Sequence, residues 1–451
     1  MASSSSYTMP FLTFFFFFFS VTLISIARAS VPPSETFKYV NEGEFGPYTN
    51  EYGGDYRVFG FFSSPFQLCF YNTTPNAYTL ALRMGIQRTE PLYRWVWEAN
   101  RGKPVRENST LSLGTEGNLV LAEADGTVVW QTNTANKGVV GCKLLSNGNF
   151  VLYDSKGNFV WQSFDYPTDT LLVGQSLRAG GVTKLVSRKS DEENVDGTYS
   201  FVLESKQLSM YRKINNSPRR VLYYSVTLTN EKDPVQYVKF NSDPETDEGF
   251  AYKLTLEISA GSIFNFARPK YNSTASFLRL GMDGNLMIYT YYDKVFWGGY
   301  EKTFSLFDRD SNGWQTECQL PERCGKFGVC DEDSQCVACP SEKGLLGWSK
   351  SCEPKKVTSC AAKDFHYYKV EGVDHYMSKF TRGSGPVKVE DCGKKCTSDC
   401  KCLGYFYNQN TSRCWIAYDL MTLTKVSDST HLGFIKVPRQ QVITGNSHLS
   451  I

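Results

Sequence analysis

Residues Leu113 to Gln131 can be laid on Leu144 to Gln162 at a constant offset of 31. The identities are Leu113/Leu144, Gly117/Gly148, Asn118/Asn149, Val120/Val151, Leu121/Leu152, Gly126/Gly157, Val129/Val160, Trp130/Trp161 and Gln131/Gln162. A fixed period of this size means that one supersecondary unit is used repeatedly, because a single short unit cannot bury its apolar face alone. Each copy reads as strand, glycine-containing turn, strand, ending in a Trp. A more distant copy precedes them, with Phe66 to Tyr71 as its first strand and Trp95-Val-Trp97 as its Trp-bearing strand. Three units around a pseudo-threefold axis would bring Trp130, Trp161 and either Trp95 or Trp97 into one core, beside Val120 and Val151. The 15% aromatic content and the short alternating runs agree with a mainly β chain.

The N-terminus indicates the compartment. Phe11 to Ile26 is apolar apart from Thr13, Ser20, Thr22 and Ser25, and Ala27-Arg28-Ala29 follows as a small-x-small cleavage pattern. Residues 1–29 therefore read as a secretory signal peptide, although nothing before Arg28 is basic. The run is shorter than the roughly 20 apolar residues that span a bilayer. No later stretch is apolar enough to span, and the polar tail 438–451 does not resemble a lipid-anchor signal. The expectation is a secreted protein of the cell wall or apoplast without a membrane anchor, the vacuole remaining open. Lys plus Arg is 48 and Asp plus Glu is 46, so no net field draws in nucleic acid.

Twelve of the 14 cysteines fall between Cys318 and Cys414. In a secreted segment that density means bridges that replace a core too small to hold itself. Zinc is the alternative suggested by Cys336-Val-Ala-Cys339, but no His lies at ligand spacing and the compartment is oxidising. Asn72, Asn108, Asn215, Asn272 and Asn410 head N-x-Ser/Thr sequons, each expected in an exposed loop that accepts a glycan.

Trp97-Glu-Ala-Asn-Arg101, Gly117-Asn-Leu-Val-Leu121, Val128-Val-Trp-Gln-Thr-Asn133 and Asn147-Gly-Asn-Phe-Val-Leu-Tyr153 resemble the bulb-type mannose-binding lectin domain. The resemblance implies a β-prism of three four-stranded sheets over residues 45–173. Residues 174–312 are less legible, but Phe277 to Tyr289 repeats the Gly-Asn-Leu strand signature. They read as a second, diverged lectin-like domain. The spacing of Cys318, Cys324, Cys330, Cys336, Cys339 and Cys352 resembles the EGF-like segment of S-locus glycoproteins, over 313–353. Cys360, Cys392, Cys396, Cys400, Cys402 and Cys414 resemble a PAN (apple) module over 360–437. This order resembles plant S-domain receptor ectodomains, and most of all the epidermis-specific secreted glycoprotein group, also described as curculin-like lectins. The resemblance implies the bridges Cys318–Cys330, Cys324–Cys336, Cys339–Cys352, Cys360–Cys400, Cys392–Cys414 and Cys396–Cys402. It also implies a bridge between Cys69 and Cys142 joining the first and third lectin units.

The lectin family's sugar motif is Gln-x-Asp-x-Asn-x-Val-x-Tyr on one strand, where alternation sets the five side chains on one face. The second unit offers Gly114, Glu116, Asn118, Val120 and Ala122, and the third Leu145, Asn147, Asn149, Val151 and Tyr153. The diverged domain offers Gly281, Asp283, Asn285, Met287 and Tyr289. No copy keeps the Gln, and each lost hydrogen bond removes on the order of 1 kcal/mol. The third unit reads as the best surviving site. Asp308-Arg-Asp-Ser-Asn-Gly313 opens like a calcium loop, but the twelfth position is Gln319 where a bidentate Glu is required, so a turn is expected and no metal or cofactor. The four His form no HExxH, and no Gly-x-Ser-x-Gly elbow occurs. The expected function is therefore binding, not catalysis. One reading is weak recognition of mannose-type glycans on wall or secreted glycoproteins. The other is a protein-interaction scaffold that keeps the lectin fold without the sugar site.

Overall fold

The computed structural model describes residues 30–86, 93–214, 217–229, 233–242, 253–261, 263–267, 275–292, 299–309 and 315–439. The chain is mainly β, with one α-helix among these residues. The first three sheets carry the repeat. One runs Tyr56–Ser63, Phe66–Asn72, Tyr78–Met84, Arg94–Glu98 in sequence order. A second joins Phe37–Val40 to Thr110–Leu113, Leu119–Ala122 and Val128–Gln131. The third contains Val139–Leu144, Phe150–Asp154 and Phe159–Gln162. The prism thus begins at Phe37, ahead of the expected residue 45, and its third sheet has three strands where four were expected.

The next strand in the chain, Thr170–Leu172, pairs with Ser276–Leu280, in a sheet completed by Leu286–Tyr291 and Tyr300–Ser305. Ser176–Arg178, Tyr237–Ser242, Leu254–Ile258 and Ile263–Ala267 form a second sheet. Lys184–Arg188, Asp196–Leu203, Gln207–Lys213 and Arg220–Thr227 form a third. The diverged region is therefore itself built of three four-stranded sheets, the first of which takes a strand from before residue 174.

Trp97, Trp130 and Trp161 meet at the centre of the first prism. Their ring centroids lie 6.2, 6.1 and 5.8 Å apart, and all three pairs are edge to face. That arrangement sets ring edges of positive potential against negative faces. Trp97, not Trp95, is the third member. Trp95 lies on the opposite face of its sheet, stacked on Tyr71 at 4.1 Å. The partners of the central rings are also one position away from those expected. Leu121 pairs with Trp130 and Leu152 with Trp161. Directly paired residues share a face, so Val120 and Val151 point the other way. Gly117, Gly148 and Gly284 each precede a motif Asn at φ +81, +85 and +84. This left-handed conformation favours Gly and explains the recurrent Gly-Asn signature.

The two prisms meet through buried charge. Arg101 donates to Glu98 at 2.6 Å and to Asp169 at 2.8 Å. Arg279 donates to Thr170 Oγ1 at 3.1 Å and forms an ion pair with Glu51. Arg188, 1% exposed, donates to the Tyr71 hydroxyl, which in turn donates to Glu98. Charges this deep are tolerated because each is paired and hydrogen-bonded.

Six bridges staple the C-terminal region: Cys318–Cys330, Cys324–Cys336, Cys339–Cys352, Cys360–Cys400, Cys392–Cys414 and Cys396–Cys402. These are the pairings implied by the EGF-like and apple resemblances. Two of them bring the sulfurs of Cys324, Cys330 and Cys336 close together, so that cluster is a stack of bridges rather than a metal centre. The helix Val389–Ser398 carries Cys392 and Cys396 four residues apart on its buried face. Glu390 and Asp391 in its first turn complement its dipole.

The EGF-like strands Phe327–Cys330, Cys336–Ser341 and Gly344–Gly347 share a sheet with Met421–Lys425 and Val373–His375 of the apple segment. The segments 313–353 and 360–437 are thereby one β unit. A second polar cluster ties that unit to the second prism. Arg212 donates to Asp419 at 2.5 Å and to Glu322 at 2.8 Å, while Tyr376 donates to Asp419 at 2.9 Å.

The bridge expected between Cys69 and Cys142 is absent, and both thiols are free. Alternation is the reason. Leu68 and Phe70 face the Trp core, so Cys69 turns to the outer face among Tyr56, Tyr71 and Trp95, while Cys142 packs against the Trp core. Burial pushes both thiols up to about 12, with Arg83 opposing at Cys69 and Glu35 adding to the rise at Cys142.

Candidate functional site

The three motif asparagines serve the fold. Asn118 donates to Gln131 Oε1 at 2.7 Å and accepts from Thr132 Oγ1 and the Thr134 N–H. Asn149 donates to Gln162 Oε1 at 2.8 Å and accepts from Ser163 Oγ and the Phe164 N–H. Asn285 donates to Ser305 Oγ and the Phe307 carbonyl and accepts the Phe307 N–H. In each copy the amide clamps the turn before its strand to the residues that follow the next strand.

The remaining motif positions differ between copies. In the second unit Glu116 is exposed and Val120 half-buried, and Gly114 leaves room for the Glu116 carboxylate. In the third unit Asn147 is exposed and its Oδ1 accepts the Asn149 N–H. Val151, expected to pack on a sugar ring, is 0% exposed. Its paired neighbour Lys143 reaches over the Tyr153 ring at 4.9 Å. The unit expected to be the best surviving site therefore presents no open apolar contact at Val151.

In the diverged domain, by contrast, Gly281, Asp283, Met287 and Tyr289 line a cavity of about 330 Å³. Ser276–Leu280 and Leu286–Tyr291 supply this wall, and Asn285 alone of the five positions turns inward. Arg279 of the strand Ser276–Leu280 belongs to the same wall, and the opposite wall comes from other segments: Glu51 and Tyr52 of the first prism, with Asp169 and Arg188. Tyr52 sits at φ +70, a strained value for a bulky residue, with the Arg188 guanidinium 4.3 Å over its ring. Strain of this kind is concentrated at functional sites.

The electrostatics of the cavity are divided. Asp283 is exposed by area yet sits in a concave wall, where displaced water raises its pKa while the Asn285 N–H opposes the rise. Burial also acts on Asp169, but Arg101 and Arg279 outweigh it and hold that carboxyl below the usual range. Tyr289 is raised by burial, with Arg279 and Arg94 opposing. Asp169 and Glu51 are consumed by their arginines, so Asp283 is the acidic group in the lining that carries no ion pair among the described residues.

Sequence reasoning missed Glu51, Tyr52, Asp169 and Arg188, which come from distant segments, and Arg279, which stands two residues before the motif. One signal was present: Arg279 interrupts the apolar strand Ser276–Leu280, and a charge inside such a strand needs a buried partner.

Of the sequons, Asn108 and Asn410 are exposed, while Asn72 ends the strand Phe66–Asn72 and is 6% exposed rather than in an open loop. Asn215 and Asn272 lie outside the described residues, as do residues 1–29, 310–314 of the calcium-like turn, and the tail from 440. Among the described residues no helix is long and apolar enough to cross a membrane.

Comparison with known proteins places the chain. The D-mannose binding lectin family matches residues 94–190. EP1-like glycoprotein 4 of Arabidopsis thaliana is 50% identical over 437 residues, covering 95% of this chain and 98% of its own. The epidermis-specific secreted glycoprotein EP1 of Daucus carota is 56% identical over 382 residues, covering 80% of this chain and 97% of its own. The S-locus-specific glycoprotein BS29-2 of Brassica oleracea is 28% identical over 365 residues, covering 72% and 78%. With near-complete coverage at half identity, a lectin domain within two prisms and a bridged EGF-like and apple tail, the chain belongs to the EP1-like family of secreted plant glycoproteins.

Proposed function

We propose that this secreted, lectin-like glycoprotein binds a neutral hexose of the mannose type in the cleft between its two prisms, and that it is a binding protein rather than an enzyme. The observation that carries this reading is the cavity of about 330 Å³ on which four positions of the diverged motif converge. A cleft with apolar walls and a few placed polar groups is the usual form of a small-ligand site. Asp283 accepts sugar hydroxyls, Met287 packs on ring carbons, and Tyr289 and Tyr52 supply aromatic faces. The Asn118 and Asn149 positions of the first prism take no part, because their amides are spent on the fold. That same fact supports a scaffold role for the first prism, whose outer faces then meet protein rather than sugar.

A glycan array followed by calorimetry with the best ligand tests the reading. Asp283→Asn and Tyr289→Phe are expected to weaken binding while the melting temperature is kept. Full binding by Asp283→Asn, or loss of binding on mutation of Tyr153 in the third unit, would sink it.

A further inference from the structure

A second cavity, of about 370 Å³, opens on the far side of the Tyr52 turn. Phe45, Gly53, Gly54, Asp55, Tyr78 and Glu107 line it, together with Asn72 of the sequon Asn72-Thr73-Thr74. We propose that this cavity is the seat of an N-linked glycan carried by Asn72 itself, holding the first sugars of the chain against the protein.

The geometry of Asn72 carries the proposal. Its Oδ1 accepts the Asp55 N–H at 3.1 Å, which fixes the amide plane. Its Nδ2 has no hydrogen-bond partner among the described residues, although the residue is more than nine-tenths buried. The residue as a whole is enclosed, but this nitrogen is not among the fully buried unpaired atoms, because Asn72 lines the open cavity. Here that donor nitrogen is the atom a glycan uses. Asn410, by contrast, spends its Nδ2 on Asp428 and Thr430.

The cavity is shaped for a sugar. Phe45 is 41% exposed and holds its ring under the Arg57 guanidinium at 4.3 Å, leaving an aromatic face for pyranose C–H groups. Glu107 is fixed by Arg57 at 2.8 Å and by the Tyr78 hydroxyl at 2.5 Å, and so presents an ordered acceptor. On the opposite side Gly54 lies so close to the strand that a Cβ there would fall 1.6 Å from the Asn72 carbonyl oxygen. A side chain at residue 54 would displace the wall.

Attachment precedes folding, so the burial of Asn72 in the finished protein does not prevent it. Nδ2 bonds to the anomeric carbon of N-acetylglucosamine as that carbon's bond to a lipid pyrophosphate breaks. The electron pair leaves with the pyrophosphate, and Nδ2 gives up one proton. The folding chain then closes the cavity around the sugars.

The test uses the full chain secreted from cells that keep glycans in the oligomannose form. Native protein is treated with an endoglycosidase that cuts between the two core N-acetylglucosamines, and release is followed site by site by peptide mass. Release at Asn72 is expected to be at least roughly tenfold slower than at Asn108, because cleavage must wait for local opening. The two sites should become equal after denaturation. Phe45→Ala should bring native release at Asn72 close to that at Asn108. An unoccupied Asn72, or native release there as fast as at Asn108, overturns the proposal, and both readouts come from the unmodified chain even if Phe45→Ala fails to fold.

Discussion

Arg188 of the second prism donates to the hydroxyl of Tyr71 in the first at 2.7 Å, across 117 residues of chain. The same guanidinium donates to the Ser190 carbonyl at 2.7 Å and to the Asp191 carbonyl at 3.2 Å, so one side chain holds both the prism interface and the acidic loop that follows it.

Replacing Arg188 by Met should cost about 3–5 kcal/mol, the range for removing one partner of a buried charged pair. Urea unfolding measures the loss. Limited proteolysis should find new cleavage in Asp191–Asp196, since the loop loses its anchor. An unchanged midpoint would show that the interface does not depend on Arg188.

Trp161→Ala should cost about 3–5 kcal/mol, as expected for emptying a buried aromatic site. It removes edge-to-face contacts with both Trp97 and Trp130. Trp95→Ala should leave that central packing intact, because Trp95 belongs to the outer face. Near-ultraviolet circular dichroism distinguishes the two variants, and a Trp161→Ala protein as stable as its parent would refute the three-Trp core.

Asn149→Ala should lower stability by about 1–3 kcal/mol, because Gln162, Ser163 and the Phe164 N–H lose a buried partner. It should leave glycan binding unchanged. Asp283→Asn should do the reverse. Thermal melts run beside glycan titrations of both variants separate a clamp from a contact.

His375 predicts a pH dependence. Burial lowers its pKa to about 4, with Asp419 opposing and Arg212 assisting. Tyr376 packs against the ring and Asp374 neighbours it on the same strand. The unfolded chain binds this proton near pH 6.5 while the folded chain resists it to about pH 4. The His375 contribution is therefore whole above pH 6.5 and is lost as pH falls, by about 3 kcal/mol in total near pH 4. Urea midpoints between pH 4 and 7 should fall on acidification in the parent and fall less in His375→Asn.

Two thiols per chain should react with iodoacetamide in denaturant and hardly any at pH 8 in the native state, since both sit near pKa 12. Intact mass after each treatment gives the count. A native chain that shows no free thiol even after unfolding would restore a Cys69–Cys142 bridge.

The parts of this architecture legible in the sequence were those written in local periods. The offset of 31 marks the Trp strands because identical neighbours need identical side chains. Cysteine spacing carried the tail because its folds resemble known ladders. Thr170–Leu172 was not legible, being a three-residue strand whose partner lies more than a hundred residues away. The sequence left Asn118 and Asn149 open between a sugar contact and a turn residue. The alternation rule places a side chain on a face, but it does not say that Gln131 and Gln162 of the next strand will occupy its amide. The cleft escaped for a third reason: Glu51, Tyr52 and Asp169 approach Asp283 only after two prisms have docked, and no local pattern records that event.

The strand Thr170–Leu172 also imposes an order on synthesis. It leaves the ribosome with the first prism, yet its partner Ser276–Leu280 follows about 5–20 s later at ordinary rates of about 5–20 residues per second. During that delay the first prism can close around its tryptophans, and Cys69 passes into the interior before Cys318 exists. The twelve cysteines destined for bridges therefore emerge into a lumen where Cys69 is already out of reach, and of the two earlier thiols only the half-buried Cys142 keeps any access to them.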